Sequence, residues 1–321
     1  MRGRATVVIP THDGRELLAA ALDSLARQTV EHAVVVVDNA SADGTAELLA
    51  ERFPHVRVLR NDENLGFGRP LNAAVAIVDT PFVVLLNNDV VCEPQFLEHL
   101  LAPFADETVG MVAGVLLQHG RPQLVDTAGI EIDPTLRSWD QLWNRPADLL
   151  ARAPEPLGPC GGAAAFRTRA FLEAGGFDEA FFAYWEDVYL ALRLRLAGHR
   201  CLRAPEARAL HRHGQTLGAA SPAQRRLEAF GRGFVLARYR VGRLGAATRL
   251  QIVALDWPVL AVHLLVRREA GPIRERLRGR RAGLARPPLR PPVELATVTF
   301  REALRRQWRQ LGLRLRGQMP F

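Results

Sequence analysis

Segments typical of strands and helices alternate along the first ninety residues of this chain. Short apolar runs predict four strands, over residues 5–10, 33–38, 55–60 and 82–87. Segments with helical periodicity follow these runs, over residues 14–28, 43–52, 66–78 and 94–102. This order is typical of stacked βαβ units, whose strands form a parallel sheet. The sequence therefore predicts an α/β fold with a Rossmann-like, mostly parallel sheet flanked by helices.

Every one of these predicted strands ends in a cluster of polar side chains. The clusters lie at residues 11–13, 38–41, 61–64 and 87–89. Because ligands bind at the carboxyl ends of the strands in open α/β sheets, the clusters indicate one shared nucleotide site. The last cluster, Asn87-Asn88-Asp89, follows a continuous apolar run and offers oxygen ligands suited to Mg²⁺ or Mn²⁺. Taken alone, this cluster is better explained as an ordinary Asn/Asp turn.

Two common phosphate-binding motifs are missing from the sequence. The nearest approach to a dinucleotide fingerprint, Gly66-Phe-Gly68, follows the third predicted strand and lacks the last glycine. This argues against a dinucleotide-dependent oxidoreductase. The chain contains no lysine, which excludes a P-loop.

Further elements are predicted between residues 109 and 203. Apolar runs predict strands over 109–117 and 160–166 and a short strand near 200–203, and helical patterns cover 168–174 and 186–197. Residues 118–158 contain five prolines and two tryptophans and no clear periodicity. A long irregular segment of this kind is typical of a lid or a substrate-binding loop.

The charge distribution divides the chain near residue 216. Residues 1–216 contain 20 Arg and 28 Asp or Glu, whereas residues 217–321 contain 22 Arg and 6 Asp or Glu. A basic segment indicates an anionic partner, either a membrane surface or a nucleic acid, although some of these arginines fit a solvated helical face. The three cysteines form no CxxC pair, which favours a reducing compartment. The apolar run at 5–10 is too short for a signal peptide.

The basic segment is predicted to be largely helical. An amphipathic helix covers residues 222–240, and a basic helix with Trp308 follows a Pro/Arg-rich linker at 284–292. Between them, residues 250–266 are strongly apolar. Their short length and the presence of Asp256, Pro258 and His263 argue against a membrane span. An interfacial helix and a plain packing helix both remain open for this segment.

A second acidic site follows four aromatic residues at positions 181–185. Glu186 and Asp187 stand at the start of a predicted helix, where the helix dipole stabilises carboxylates. Asp187 could instead be a general base, with the aromatic side chains, Trp185 among them, forming a platform for a sugar. Further along the chain, His211 follows a predicted strand and is suited to metal ligation.

These motifs, in this order, resemble those of the family 2 glycosyltransferases, most closely their bacterial rhamnosyltransferase-like branch. The matching segments are Val8-Ile-Pro-Thr11, Val37-Asp-Asn-Ala-Ser41, Asn64-Leu-Gly-Phe67, Leu86-Asn-Asn-Asp89, Gly175-Gly-Phe-Asp178, Glu186-Asp187 and His211. The resemblance covers residues 4–216 and implies a GT-A fold for them. Residues 217–321 would form a basic, helix-rich extension.

The resemblance also implies a role for each matched residue. Asp38 would accept a hydrogen bond from the pyrimidine N3–H, and Asp89 and His211 would hold the metal. Asp187, with Glu186 beside it, would be the catalytic base. The other implied contacts are with the nucleotide (Thr11, Asp13, Asn64, Gly66, Arg69 and Asn88) and with the donor sugar or acceptor (Gly161, Gly162 and Trp185). One position departs from the branch, since Tyr189 replaces the last Asp of its Glu-Asp-x-Asp motif.

The implied activity is an inverting sugar transfer. A rhamnose-like or similar sugar would move from a UDP- or dTDP-sugar to a cell-envelope glycan or a lipid-linked acceptor. Mg²⁺ or Mn²⁺ would neutralise the departing diphosphate. The basic extension would then contact an anionic membrane surface, so the enzyme would be cytoplasmic and peripheral at the inner face of the plasma membrane. Nucleic acid is not an expected partner, because the sequence contains no recognised binding module.

Two alternatives from other functional classes remain open. A nucleotidylyltransferase would share the α/β fold and the acidic metal ligands, but it would need a basic phosphate-binding loop near the N-terminus. Residues 11–14 do not form such a loop. A non-catalytic scaffold of the same fold would be expected to have lost Asp89 or Asp187, and the sequence retains both.

Overall fold

The computed structural model describes residues 4–212 and 221–315. Of these, residues 4–130 and 140–212 belong to one compact unit, and residues 131–139 and 221–315 belong to a second. The boundary predicted at residue 216 lies outside the described residues.

A nine-stranded sheet forms the centre of the first unit. Its strands are β1 (Ala5–Thr11), β2 (His32–Asn39), β3 (Arg57–Asn61), β4 (Phe82–Leu86), β5 (Val90–Cys92), β6 (Val109–Gln118), β7 (Arg121–Thr127), β10 (Ala163–Arg167) and β11 (Arg200–His211). Their order is β3-β2-β1-β4-β10-β6-β11-β5, and β7 pairs with β6. Two short strands, β8 (Ile130–Ile132) and β9 (Ser138–Asp140), pair separately.

The first four strands are parallel, as the alternating pattern predicts, and the α/β fold is confirmed. The register places Thr11 beside Asp38 and Asn39 beside Asn61, so the polar strand ends are neighbours. Beyond β4 the sheet is mixed, because β10 runs antiparallel to both β4 and β6, and β5 antiparallel to β11. The alternation of strand and helix stops near residue 102, so the sequence held no signal for these later pairings.

Six α-helices lie among the described residues of the first unit. They are α1 (Arg15–Leu25), α2 (Thr45–Arg52), α3 (Gly68–Val75), α4 (Phe96–Leu101), α5 (Thr168–Glu173) and α6 (Glu186–Leu196). All five residues of β4 are buried, as expected for a central strand that is covered on both faces. The main core joins side chains of the sheet with apolar residues of α1, α2 and α4.

The structure corrects two predictions for the later part of the first unit. The segment 118–158, predicted to be a loop, contains β7, β8, β9 and a 3₁₀ turn over Ala147–Arg152. The strand predicted near residues 200–203 extends over twelve residues to His211. In both places arginine and proline interrupt the apolar pattern, so β7 and β11 form through pairing with β6 rather than through local preference.

The second unit contains four helices: α7 (Pro222–Arg238), α8 (Ala246–Ala261), α9 (Gly271–Leu284) and α10 (Phe300–Leu315). α7 begins with Ser221, whose Oγ accepts a hydrogen bond from the Gln224 N–H at 3.1 Å. α9 was not predicted. It packs closely on α7 at Gly233, Gly279 and Gly283, where a Cβ atom would overlap a carbonyl oxygen of the facing helix.

One helical segment of the second unit is strongly apolar. α8 continues into a π-helical turn over Val262–Val266. Within the described residues, the resulting segment Ala246–Val266 is the one helix long and apolar enough to cross a membrane, judged by length and composition alone. A single helix of this kind does not establish a membrane protein, since core helices can meet the same criteria.

Candidate active site

Asp89 and His211 lie together at the carboxyl edge of the sheet. Asp89 stands between β4 and β5, and His211 is the last residue of β11. Because β5 runs antiparallel to β11, Val90 is paired directly with His211. The Asp89 Oδ1 atom lies 3.3 Å from Nε2 of His211, and both side chains are buried. The two predicted metal ligands, which are 122 positions apart in sequence, therefore form one cluster.

The sequence analysis missed a third member of this cluster, Asp126. Its Oδ2 atom lies 2.6 Å from Nδ1 of His211, on the opposite side of the ring from Asp89. No motif marks Asp126, since β7 begins with exposed polar residues and reaches the site only through its pairing with β6. A hydrogen bond of this kind sets the tautomer and the orientation of a histidine ligand.

The two carboxylates also change the acid–base properties of His211. Burial alone would lower the pKa of the imidazole, but the hydrogen bonds and charges of Asp126 and Asp89 outweigh burial. Together they raise the pKa to about 9 in the metal-free protein. The negative environment that retains a proton on this ring is equally suited to attract a divalent cation.

The donor set fits Mg²⁺ or Mn²⁺. The Asp89 Oδ1 atom is buried, and Nε2 of His211 lies 3.3 Å from it. Among all the residues that the structure describes, no group of three or more His, Cys, Asp or Glu side chains is arranged to hold a metal ion by itself. A carboxylate and an imidazole, completed by diphosphate oxygens and water, suit a cation that is bound together with its nucleotide.

Asn88 contacts β1 rather than the Asp89–His211 cluster. Its Nδ2 atom donates a hydrogen bond to Thr11 Oγ1 at 2.9 Å, and both side chains are buried. Gly14 leaves room for this arrangement, because a Cβ atom there would overlap the Asn88 amide. Asn88 and Thr11 thus join the ends of two neighbouring strands at the floor of the predicted nucleotide pocket.

Asp38 retains one oxygen for a ligand. Its Oδ1 accepts a hydrogen bond from the Ser41 N–H at 2.9 Å. Its Oδ2 is buried without a hydrogen-bond partner among the described residues, and Arg60 Nη1 lies 3.5 Å away. A buried carboxylate oxygen that accepts no hydrogen bond is unfavourable unless a ligand satisfies it. An N–H group of a bound base would do so.

The loop between β3 and α3 is tied to the neighbouring strand ends. Asn39 donates a hydrogen bond to the Gly66 carbonyl at 2.9 Å, and Asn61 donates one to Asn39 Oδ1 at 2.7 Å. The Gly66 N–H donates to Asn64 Oδ1 at 3.0 Å. Gly66 has a φ of +82°, and a Cβ atom there would overlap the carbonyl oxygen of Phe182. Only glycine fits this position without strain.

Asp13 and Arg69 have more exposed side chains than the buried residues Thr11, Asp38 and Asn88. The Asp13 carboxylate accepts a hydrogen bond from the Ala42 N–H at 2.8 Å, and its side chain is half-exposed. Arg69 is exposed, with its Nε 3.8 Å from Glu179. Their predicted contacts with the nucleotide stay predictions.

Asp187 is linked to the start of the metal-binding motif through two glycines. Its Oδ2 accepts a hydrogen bond from the Gly161 N–H at 3.0 Å, and its Oδ1 accepts one from the Val188 N–H at 2.7 Å. The Gly162 carbonyl accepts a hydrogen bond from the Asn87 N–H at 3.1 Å. The segment between the two acidic sites is therefore fixed on both sides by backbone hydrogen bonds.

Glu186 and Asp187 differ in their surroundings. Burial is the main cause that raises the pKa of Glu186 well above its ordinary range, and the charge of Asp187 adds to the effect. Burial also raises the pKa of Asp187, but hydrogen bonds from Gly161 and Val188 oppose this. Glu186 therefore binds a proton more readily, and Asp187 is the member of the pair that ionises first.

The turn before α6 is strained. Tyr184 and Trp185 have φ values of +64° and +76°, in the left-handed region that bulky side chains rarely adopt. This conformation ends in the N-cap position of α6, so it directs Glu186 and Asp187 into the first helical turn. Strain of this kind is concentrated at functional sites.

An open cavity of about 720 Å³ lies beside the cluster of Asp126 and His211. Its lining includes the hairpin that connects β6 and β7, with Gln118, His119, Gly120 and Arg121. The wall next to the candidate metal site is therefore polar and accessible to a ligand.

The mixed sheet, with Asp89 directly after the central strand β4 and Asp187 held by the Gly161 N–H, has the features of the GT-A class of fold. The sequence profile of glycosyl transferase family 2 matches residues 6–175. The chain belongs to that family, and it is a glycosyltransferase.

The relatives support the predicted branch. The N-acetylglucosaminyl-diphospho-decaprenol L-rhamnosyltransferase of Mycobacterium tuberculosis is 29% identical over 216 residues, which cover 58% of this chain and 68% of that protein. The O-antigen chain rhamnosyltransferase RfbN of Salmonella typhimurium is 25% identical over 219 residues, covering 66% of this chain and 68% of that protein. The resemblance to the rhamnosyltransferase-like branch is confirmed.

Solved structures support the fold. The mannosyltransferase PcManGT from Pyrobaculum calidifontis, in complex with GDP-Man and Mn²⁺, aligns with a TM-score of 0.54 at 21% identity. The alignment covers 98% of this chain and 81% of that one. GalNAc-T7 with UDP, GalNAc and Mn²⁺ aligns with a TM-score of 0.56 at 17% identity, over 74% of this chain and 51% of that one.

Proposed function

We propose that the protein is a metal-dependent inverting glycosyltransferase in which Asp187 is the base and Asp89 and His211 hold the metal. One observation carries this assignment. The Gly161-Gly162 segment is hydrogen-bonded to Asp187 on one side and to Asn87 on the other. A donor sugar lying against these glycines would have the base on one side and the metal-binding residues on the other.

The donor is a UDP- or dTDP-sugar. The Oδ2 of Asp38, which accepts no hydrogen bond within the described residues, supports this choice, because uracil and thymine present the same N3–H donor. Thr11, Asn64, Gly66 and Asn88 line the adjoining strand ends, and Asp13 and Arg69 would approach the nucleotide from the exposed rim. The two bases share the edge that Asp38 would contact, so the proposal covers both nucleotides.

The metal, Mg²⁺ or Mn²⁺, would neutralise the charge on the departing diphosphate when it is bound. Asp89 and His211 would hold it, and Asp126 would fix the His211 ring through Nδ1. Asp187 would take the proton from the acceptor hydroxyl while that oxygen attacks the anomeric carbon. Burial raises the pKa of Glu186, whereas hydrogen bonds from Gly161 and Val188 oppose that effect at Asp187, which supports Asp187 as the base. Trp185 would contribute an aromatic surface for a sugar ring.

The acceptor is a cell-envelope glycan or a lipid-linked saccharide, and the transferred sugar is rhamnose or similar. The names of the Mycobacterium and Salmonella relatives support this choice. A lipid-linked acceptor would place the enzyme at the inner face of the plasma membrane as a peripheral protein, with residues 217–321 against anionic lipid.

The other two functional classes are not favoured. Family membership is that of glycosyltransferases, not nucleotidylyltransferases. A scaffold would have no need for the two carboxylates, Asp38 and Asp89, that are buried at strand ends.

The test is a panel of UDP- and dTDP-sugars assayed for release of the nucleoside diphosphate with Mg²⁺ or Mn²⁺. We expect turnover of at least one donor, its loss in Asp187→Asn, and wild-type turnover in Asp148→Asn, a matched change at an exposed position of the first unit. If no nucleotide sugar is bound or consumed, the proposal fails.

A further inference from the structure

The apolar segment of the second unit presents one exposed face over most of its length. Large side chains spaced at helical intervals are 44–70% exposed: Leu250, Val253, Trp257 and Leu264. Leu265 and Val266 continue this surface beyond the helix. Isolated exposed apolar side chains are common, but a contiguous row on one face marks a surface that another partner covers.

The opposite face of α8 is anchored in the second unit. Leu255 is fully buried in a cluster with Trp139, Val298 and Ala303. Asp256 is buried and forms ion pairs with Arg232 of α7 and Arg276 of α9. Arg137 contributes a third guanidinium, 3.6 Å from Asp256. These contacts hold one face of α8 against the rest of the second unit, and the other face remains exposed.

A second anchor holds the chain after the π-helical turn. Glu269 accepts two hydrogen bonds from Arg225 of α7, at 3.0 and 2.6 Å. Its own N–H donates a hydrogen bond to the carbonyl of His263 at 2.8 Å. The segment is therefore attached to the second unit near its middle and just beyond its end.

These anchors are incompatible with a membrane-spanning orientation. Asp256 lies near the midpoint of Ala246–Val266, so a spanning helix would carry it to the centre of the bilayer. Charged groups there are strongly disfavoured. The same movement would leave the buried guanidinium groups of Arg137, Arg232 and Arg276 without their shared carboxylate, which is also costly.

The charges around the exposed face are positive. Arg243 and Arg249 precede it and are exposed, and Arg267 and Arg268 follow it. The whole segment 217–321 contains 22 Arg against 6 Asp or Glu. An apolar face with cationic ends is complementary to an anionic lipid surface, where each arginine adds roughly 1 kcal/mol.

We propose that this face is a membrane-docking surface on which α8 lies in the plane of an anionic bilayer. Val253, Trp257 and Leu264 enter the boundary between headgroups and acyl chains, and the flanking arginines contact the headgroups. The docking surface specifies which residues contact the membrane and how α8 is oriented there. It rests on the peripheral membrane association proposed above.

The first test is co-sedimentation of the full chain with phosphatidylcholine vesicles that contain or lack phosphatidylglycerol. We expect the wild type to bind the anionic vesicles. The double variant Val253→Asp/Trp257→Asp should bind them at least about tenfold more weakly. The matched control is Ile77→Asp/Leu172→Asp, which changes two side chains of the first unit that are exposed to a similar degree. Thermal melting of each variant shows that the fold is retained.

The second test measures depth, with lipids brominated near the headgroup or near the chain terminus. The wild type is compared with Trp257→Phe, so that the difference in quenching reports Trp257 alone. Quenching by the shallow bromines supports the in-plane orientation. Quenching by the deep bromines contradicts it.

Three outcomes overturn the proposal. The first is equal vesicle binding by the wild type and Val253→Asp/Trp257→Asp, and the second is deep quenching. The third is a wild-type dimer in light scattering that becomes a monomer in this variant, with neither protein binding vesicles. That result would show that a second copy of the chain covers the face. Turnover of a water-soluble acceptor analogue separates this test from the catalytic proposal. Retained turnover in the docking variant, with vesicle binding lost, supports both.

Discussion

Asp126 and Asp89 approach opposite nitrogen atoms of His211, at 2.6 Å from Nδ1 and 3.3 Å from Nε2. The hydrogen bond to Asp126 therefore orients the His211 ring so that Nε2 faces Asp89. A histidine ligand whose second nitrogen is held by a carboxylate is a stronger and better-oriented ligand.

We therefore expect Asp126→Ala to weaken Mn²⁺ binding by about 10–100-fold, and Asp126→Asn to weaken it less because the amide oxygen can still accept the Nδ1–H. Titration calorimetry with Mn²⁺ in the presence of UDP measures this directly. Asp148→Asn, an exposed change in the same unit, is the control. Unchanged Mn²⁺ affinity in Asp126→Ala would exclude a positioning role.

The two adjacent carboxylates should respond differently to neutral replacement. Asp187→Asn removes the ionised base, so we expect kcat to fall by about 10²–10⁴-fold with little change in donor affinity. Glu186→Gln replaces a group whose pKa burial raises well above the ordinary carboxyl range, so kcat should stay within a few-fold of the wild type. Steady-state kinetics of both variants test this, and a larger loss in Glu186→Gln would reverse the assignment.

The same pair should lower stability as the pH rises. Because the folded protein raises the pKa of Glu186, the folded state binds more protons than the unfolded state above the ordinary carboxyl range, and stability falls with increasing pH there. Glu186→Gln removes the contribution of Glu186 to this dependence. Its melting temperature should exceed that of the wild type at pH 8 by more than at pH 4. Parallel melting curves at the two pH values would contradict this prediction.

Asp256 should have the opposite effect on stability. Burial opposes ionisation of its carboxyl, but Arg232, Arg276 and Arg137 outweigh burial and lower the pKa. Its contribution is present above the unfolded pKa of about 3.9 and is lost as the pH falls through the lower folded value. We expect Asp256→Ala to destabilise the second unit by about 3–5 kcal/mol, because it leaves buried guanidinium groups unpaired. Limited proteolysis with mass spectrometry should locate the new cleavage sites beyond residue 221, and Glu294→Gln should leave the pattern unchanged.

Gly66 should not tolerate a side chain. Gly66→Ala would place a methyl group against the Phe182 carbonyl at a φ that disfavours alanine. We expect a loss of about 1–3 kcal/mol of stability and weaker donor binding, measured by denaturant titration and by UDP calorimetry. Gly242→Ala is the control, because a Cβ atom there meets nothing within 4 Å. Equal effects of the two variants would contradict the steric explanation.

Local sequence patterns were sufficient where structure depends on local preference and strand burial. The alternating elements of the first ninety residues, the strand that delivers Asp89 and the helix that begins at Glu186 follow from hydrophobic periodicity. The long β11 and the missed α9 do not, because Arg and Pro interrupt β11 and α9 carries many arginines. Packing against β6 and α7 decides these elements.

The candidate site divides in the same way. The sequence by itself identified the candidates for the chemistry, since Asp38 and Asp89 stand at the ends of predicted strands and Asp187 stands at the start of a predicted helix. Only the tertiary structure decided that Asp126 faces His211, that Asn88 contacts Thr11, and that the apolar side of α8 points outward while Asp256 is buried. Each of these relationships depends on the register between strands or the packing of helices far apart in the chain, and such long-range pairing leaves no periodic signal in the sequence.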